Sequence, residues 1–236
     1  IGGGRNPRPG EISLAHHGVL FLDEMPEFQK DALEALRQPL EDGVVSISRA
    51  SASLTYPARL MLVGALNPCP CGYAGDYLHG CTCTPHQVQR YVSRLSGPLL
   101  DRIDICIEVP RLPYEDISSG EKPENSASIK KRVEAARECQ RERFRADPQS
   151  GARAQTFDCN ARMGSKEVRR YCKMTKATRE LLKEAFKRFS LSARSYDKIL
   201  KVSRTIADLD GTELIEEPHL AEAVQYRSLD WLTANY

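Results

Sequence analysis

The sequence lacks any apolar run approaching the ~20 residues needed to cross a bilayer, so no membrane-spanning helix is expected. It lacks a strong surplus of charge. The formal net charge is +2, too small to argue by itself for a polyanionic partner. No secretory leader opens it, which points to the cytoplasm and to no membrane association. It begins at Ile1 rather than Met, so a shortened chain is expected. No internal repeat is present. No G-x-x-x-x-G-K-[ST] loop occurs anywhere, which removes the usual backbone cradle for phosphates.

What is present is ordinary for a globular protein: 236 residues, 41% hydrophobic and 28% charged. That length suits one large domain or two small ones with a real core. The charge is uneven: residues 1–111 sum to −2 and residues 112–236 to +4, so a polyanion is expected on the second half. Eight cysteines in a reducing compartment favour metal ligation over disulfides where they cluster.

Three apolar segments read as buried strands: Val19–Leu22, Leu60–Leu66 and Ile103–Val109. The first two are nearly continuous, as in a parallel sheet covered on both faces. Lys30–Leu40 has helical spacing through Ala32, Leu33, Leu36 and Leu40, and Asp42-Gly43 breaks it. Val44–Tyr56 reads as a β-hairpin. Pro, Ser, Gly and charge over residues 112–127 suggest a linker. A charged helix follows over Ser128–Ala146, then irregular chain over residues 147–165. Helical stripes recur over Lys176–Phe189, over Arg194–Leu209 with Ser192 as N-cap and Gly211 as stop, and over about Pro218–Leu232. The expected architecture is α/β over residues 1–111, a linker and charged helix over 112–165, and an α-helical domain over 166–236.

The most informative segment is Gly18-Val19-Leu20-Phe21-Leu22-Asp23-Glu24, a buried strand ending in adjacent carboxylates. Ligands of open α/β sheets sit beyond the carboxyl ends of strands. Neighbours on extended chain point opposite ways, so one acid can hold Mg²⁺ while the next orients water. This resembles a Walker B motif, with Asp23 on magnesium and Glu24 as base. The alternative is a strand capped by solvated acids. Asn67, just past the second strand in Gly64-Ala65-Leu66-Asn67-Pro68, resembles the sensor 1 position, or else is a strand-end turn. Leu99-Leu100-Asp101-Arg102-Ile103-Asp104 resembles the segment that supplies an arginine finger in the magnesium-chelatase and minichromosome-maintenance branches. The alternative is an ion pair of Arg102 with Asp101 or Asp104. Leu191-Ser192-Ala193-Arg194 looks like sensor 2, with Arg194 facing nucleotide.

Arg8–Gly18, Asn67-Pro68-Cys69-Pro70-Cys71-Gly72, Ser96–Asp104 and Ser192–Leu209 together resemble the bacterial magnesium-chelatase-like AAA+ ATPases of the ComM type, over essentially the whole chain. The resemblance implies a partial AAA+ core, with its parallel sheet and inserted hairpin, followed by a helical lid. It implies ATP and Mg²⁺ as cofactors, a ring-shaped homo-oligomer (a hexamer), and a motor acting on DNA in branch migration during natural transformation. Asp23, Glu24, Asn67, Arg102 and Arg194 would be catalytic, and Asp23, Asn67 and Arg194 would touch the nucleotide. Family members carry a Lon-protease-like domain and a Walker A loop upstream. This sequence departs there, since Gly2-Gly3-Gly4-Arg5-Asn6 has no Lys-[Ser/Thr] and no preceding strand. The chain alone is therefore expected to grip ATP weakly and to be inactive.

Cys69-Pro-Cys71 and Cys81-Thr-Cys83 suit a structural tetrahedral Zn²⁺, with His79 and His86 as spare ligands. Reduced, metal-free thiols are the alternative. Cys106, Cys139, Cys159 and Cys172 are scattered and read as packing or incidental residues. The hairpin resembles the pre-sensor 1 insertion that points into the ring channel, with Arg49 near its tip as a DNA contact. The Ser128–Ala146 helix, net +4, is a second candidate for DNA. Two other functions stay open: a chelatase motor subunit for metal insertion into a tetrapyrrole, and a non-enzymatic zinc-stabilised interaction module.

Overall fold

A computed structural model describes residues 1–4, 7–49, 52–76, 78–114, 118, 123–146, 159–189 and 191–227. They gather into two compact units, the first ending at Ile103 and the second beginning at Asp104.

In the first unit, β1 (Gly2–Gly3) pairs antiparallel with β2 (Arg8–Pro9), and α1 (Glu11–Leu14) follows. β3 (Val19–Leu22) leads through a 3-10 turn at Met25–Glu27 into α2 (Lys30–Ala35) and α3 (Arg37–Asp42). One continuous helix was expected over Lys30–Leu40. Pro39 explains the break: it has no N–H for the Ala35 carbonyl, and its ring crowds that carbonyl. Gly43, at φ +68°, ends α3 with its N–H on the Pro39 carbonyl at 2.9 Å.

β4 (Val44–Arg49) and β5 (Ala52–Pro57) form the expected hairpin, in a register that sets Val45 opposite Tyr56 and Ile47 opposite Leu54. Its turn, residues 50–51, lies outside the described residues. β6 (Met61–Gly64) then runs parallel to β3, with Val19 opposite Met61 and Leu22 opposite Gly64. α4 (Pro85–Val92) and α5 (Gly97–Leu100) complete the unit. Leu20, Leu22 and Leu62 point inward against a core of Ile12, Leu33, Leu36, Val45, Ile47, Leu95 and Leu99.

Two expectations fail here. The β3–β6 pair is covered on one face only: Val19 and Phe21 are each 58% exposed and Met61 63%. Ile103–Val109 forms no strand, and Ile105, Ile107 and Val109 are exposed. A strand needs a neighbour to satisfy its backbone groups. The Cys106 N–H goes instead to the Tyr226 carbonyl at 2.8 Å.

The second unit is helical, as expected. α6 (Ser126–Arg145) is the charged helix, N-capped by Asn125. Residues 147–158, part of the segment expected to be irregular, lie outside the described residues. A 3-10 turn at Asn160–Arg162 precedes α7 (Ser165–Tyr171), whose buried side is too short to give a periodic signal. α8 (Lys176–Arg188), α9 (Ala193–Leu209) and α10 (Glu217–Gln225) follow. The final helix is shorter than expected, and residues 228–236 lie outside the described set. Phe144, Val168, Leu182, Ile199, Leu200, Ile215 and Leu220 form the core. A buried polar network runs through it: Asp208 pairs with Arg204 (3.0 Å to Nε) and with Arg143, and accepts from Asn160 Nδ2 at 2.7 Å.

Candidate functional site

Parallel pairing brings the ends of β3 and β6 to one edge, so Asp23-Glu24 and Asn67 leave the sheet side by side. The ladder continues one step past the strands. The Ala65 N–H donates to the Leu22 carbonyl and the Met25 N–H to the Ala65 carbonyl, both at 2.9 Å. Met25 and Pro26 are buried beneath this edge, whereas Asp23, Glu24 and Asn67 are exposed. Gly64 makes the close approach possible, since a Cβ there would stand 2.8 Å from the Met25 sulfur.

The extended geometry expected for Asp23-Glu24 gives way to a turn. Glu24 sits in the left-handed region at φ 47° and ψ 44°. Its N–H donates to Asp23 Oδ1 at 2.9 Å, a short local bond that satisfies the turn. The two carboxylates are separated by this turn rather than by alternation along a strand. A non-glycine residue here carries strain of roughly 1–2 kcal/mol.

Two residues not singled out in the sequence brace this edge. Tyr91 is buried on α4, and burial pushes its phenol up. A hydrogen bond with the Asn67 backbone works the other way, and the Glu27 and Glu24 carboxylates add to the rise. Arg94 Nη1 donates to the Pro26 carbonyl at 2.9 Å and to Glu27 at 2.7 Å. Both loops are thus tied to the segment that follows the cysteines. The available signal was Val88, Tyr91 and Leu95, all buried at helical spacing.

Arg102 faces α3. Its Nε donates to the Arg37 carbonyl at 3.0 Å, its Nη1 to the Pro98 carbonyl at 2.6 Å, and its Nη2 pairs with Glu41. The expected alternative was an ion pair of Arg102 with Asp101 or Asp104; the acid that pairs with it here is Glu41. Arg194 lies in the second unit, exposed in the first turn of α9, and Ser192 caps that helix by accepting from the Ser195 N–H at 3.2 Å. Arg49 is the last residue of β4.

The four loop cysteines converge. The ligand atoms of Cys69, Cys71, Cys81 and Cys83 all lie within 4.8 Å of one another. Cys69 Sγ is 3.3 Å from Cys71 Sγ and 3.6 Å from Cys81 Sγ, and Cys71 and Cys81 are also 3.6 Å apart. A tetrahedron with Zn–S near ~2.3 Å has edges of about 3.8 Å, so the set fits zinc with small adjustment. These separations are far beyond an S–S bond of about 2.05 Å. Backbone hydrogen bonds around Tyr73 and Thr82 bring the Cys71 thiol down to about 5, while burial pushes Cys83 up to about 12. The group that converges is the four cysteines; His79 stands apart from it, with its Nδ1 3.9 Å from Asp76 and its ring tilted against Tyr73 at 5.1 Å between centroids. Thr84 then caps α4 in a reciprocal box with Gln87, so the thiol loop leads directly into the helix that carries Tyr91. Of the scattered cysteines, Cys172 is buried in the second core and its thiol is pushed up to about 12.

Among the described residues, no helix is long and apolar enough to cross a membrane.

Comparison with known proteins matches residues 1–117 to the family described as magnesium chelatase, subunit ChlI, and residues 123–227 to that described as magnesium chelatase, subunit ChlI C-terminal. The competence protein ComM of Haemophilus influenzae is 49% identical over 231 residues, 97% of this chain and 42% of that protein. The protein YifB of Escherichia coli is 46% identical over 98% of this chain and 43% of its own length. The magnesium-chelatase 38 kDa subunit of Acidiphilium rubrum is 28% identical over 101 residues, 43% of this chain and 23% of that subunit. The chain therefore spans less than half the length of these curated relatives. With two family descriptions dividing almost all of it between them, the chain belongs to the magnesium-chelatase-like family, on the ComM and YifB side.

Proposed function

We propose that this chain supplies the hydrolytic half of an ATP-driven motor that assembles as a ring and remodels or translocates DNA. The observation that carries the reading is the shared edge of β3 and β6, where two carboxylates and an amide lie exposed at adjacent strand ends. In this reading Asp23 holds Mg²⁺, Glu24 takes the proton of the attacking water, and Asn67 orients that water or the γ-phosphate. Arg102 acts across a subunit interface and Arg194 contacts the nucleotide from the lid. The bound Mg-ATP supplies the phosphoanhydride, and these side chains position and deprotonate. The whole protein is the enzyme. This chain, without a phosphate-binding loop, binds ATP weakly and turns it over poorly if at all.

The cysteine tetrad holds one structural Zn²⁺ in this reading. It fixes the loop between Asn67 and α4, and through α4 it steadies Tyr91 and Arg94 against the site. Arg49 and its hairpin face the channel that the DNA threads.

A chelatase motor subunit is the second reading, favoured by the relative named as a magnesium-chelatase subunit. That match covers 43% of the chain, and a relative of Oryza sativa named as a probable DNA helicase covers a similar 42%. The names alone leave both targets open, and the positive surplus of the second half favours DNA. ATP turnover by the full-length protein tests the choice. Stimulation by branched DNA, falling with salt as phosphate contacts require, supports the DNA motor. Stimulation by a tetrapyrrole-bearing partner and not by DNA overturns it.

A further inference from the structure

The positive surplus of the second half is not confined to the charged helix α6, where seven Lys and Arg stand against three Glu. Residues 165–201 hold twelve Lys and Arg against four Asp and Glu. Among the described residues, most cations of α6 have an acidic partner: Arg132 has Glu124, Arg141 and Arg145 share Glu138, Arg143 has the buried Asp208, and Lys130 has Glu134 in an exposed pair that screens little. On α8, Lys183 alone among the described residues has one.

α8 buries Thr178, Leu182 and Ala185 and packs Leu181 and Phe186 on the core. At 3.6 residues per turn, Lys176, Arg179, Lys183 and Lys187 fall within a sector of about 80°, centred about 130° from that buried side. All four are exposed. Lys183 has one acidic neighbour, Glu180 at 3.6 Å, and both side chains are more than 60% exposed, so the pair screens little. Among the described residues, Lys176, Arg179 and Lys187 make no ion pair. Like charges three and four residues apart oppose helix formation, and three such spacings stand in succession here.

We infer that this stripe of α8 is a contact surface for the phosphodiester backbone of nucleic acid. The inference deepens the DNA-motor reading and rests on it for the choice of polyanion. At 1.5 Å rise per residue the stripe is about 16 Å long. That spans about five phosphates of one strand at about 3.4 Å each. Flexible ammonium groups bind phosphates as point charges and read no bases, as a motor that moves along any sequence requires. An anionic membrane is the weaker fit. The apolar side of α8 is committed to the core, so no apolar face accompanies the charge.

The test is fluorescence anisotropy of this chain with labelled duplex and single-stranded DNA, from about 50 to about 200 mM salt. It compares wild type, the quadruple variant Lys176→Gln, Arg179→Gln, Lys183→Gln, Lys187→Gln, and a control double variant Lys131→Gln, Arg137→Gln on α6. Gln keeps helix propensity, and circular dichroism melts confirm the fold of each. The quadruple variant should bind duplex at least about tenfold more weakly and lose about three units of the slope of log K against log salt, while the control changes either little. An unchanged slope in the quadruple variant overturns the inference. So does absence of wild-type binding, or wild-type preference for phosphatidylserine vesicles over DNA at matched charge. If α8 binds DNA as stated but DNA fails to stimulate full-length ATP turnover, the motor reading fails and the surface stands. DNA stimulation with an unaffected quadruple variant is the reverse.

Discussion

Arg102 and Glu41 form an ion pair that joins the segment after α5 to α3, and the same guanidinium donates to the Arg37 and Pro98 carbonyls. In the proposed reading an arginine that acts on a neighbouring subunit has to leave this arrangement, which would make Glu41 a tether outside the chemistry. In the full-length protein, Arg102→Ala should leave ATP affinity unchanged and lower turnover at least about a thousandfold, the lower end of the range for transition-state arginines. Glu41→Gln should keep most of the turnover, because Glu41 is half-exposed and its pair with Arg102 contributes only up to about 1 kcal/mol. Steady-state kinetics of both variants decide the matter. Equal losses in the two would make Arg102 a structural residue.

Glu24 holds a left-handed backbone conformation, at φ 47° and ψ 44°, that costs a non-glycine residue roughly 1–2 kcal/mol. Glu24→Gly should therefore melt at or above the wild-type temperature, with a gain of up to about 1 kcal/mol. Calorimetry of this chain measures it. A clear drop in melting temperature would mean that the glutamate side chain stabilises the turn.

Much of this edge was legible in the sequence because apolar runs end at it. Val19–Leu22 reads as a strand from its composition, and Asp23-Glu24 and Asn67 stand where two such runs stop. The cysteine spacing announced the tetrad, and breakers and stripes marked α6, α8 and α9. The remainder depended on partners distant in sequence. The Ile103–Val109 run is as apolar as a strand, but pairing decides strand formation, and no described neighbour takes it up. Tyr91 meets Asn67 and Arg94 meets Pro26 only once α4 is folded back. Arg102 finds Glu41 sixty-one positions away, which no local pattern reveals. The break of α2 from α3 was readable in Pro39, and helical periodicity masked it.

The thiol tetrad predicts an order of reactivity. Cys71 is held down to about 5 from the ordinary 9.0, chiefly by hydrogen bonding at Tyr73, which favours its thiolate at neutral pH. Its contribution to stability is fully present above pH 9.0 and is lost as pH falls through about 5. Cys172, buried and raised to about 12, stays a thiol. In chelator-treated protein at pH 7, iodoacetamide should modify Cys71 first and Cys172 last, as read by peptide mass mapping. Protein purified without chelator should carry about one zinc per chain, resist alkylation at the tetrad, and lose both properties on Cys71→Ser. Four freely reactive loop thiols in that untreated protein would contradict the zinc assignment.

Asp208 is fully buried between Arg204 and Arg143 and also accepts from Asn160. Asp208→Ala strands two guanidinium groups, one of them 1% exposed, and should destabilise the second unit by about 3 kcal/mol. Urea unfolding of this chain reads the effect. A loss under about 1 kcal/mol would show that the network is dispensable.

The reading of the β3–β6 edge as the hydrolytic half of a nucleotide site is tested most directly by Glu24→Gln in the full-length protein. Asp23 remains to hold Mg²⁺, so the dissociation constant for ATP should match wild type. The water loses its base, so kcat should fall by about 10²–10⁴-fold. Near-normal turnover at unchanged ATP affinity would remove Glu24 from the mechanism and contradict the account.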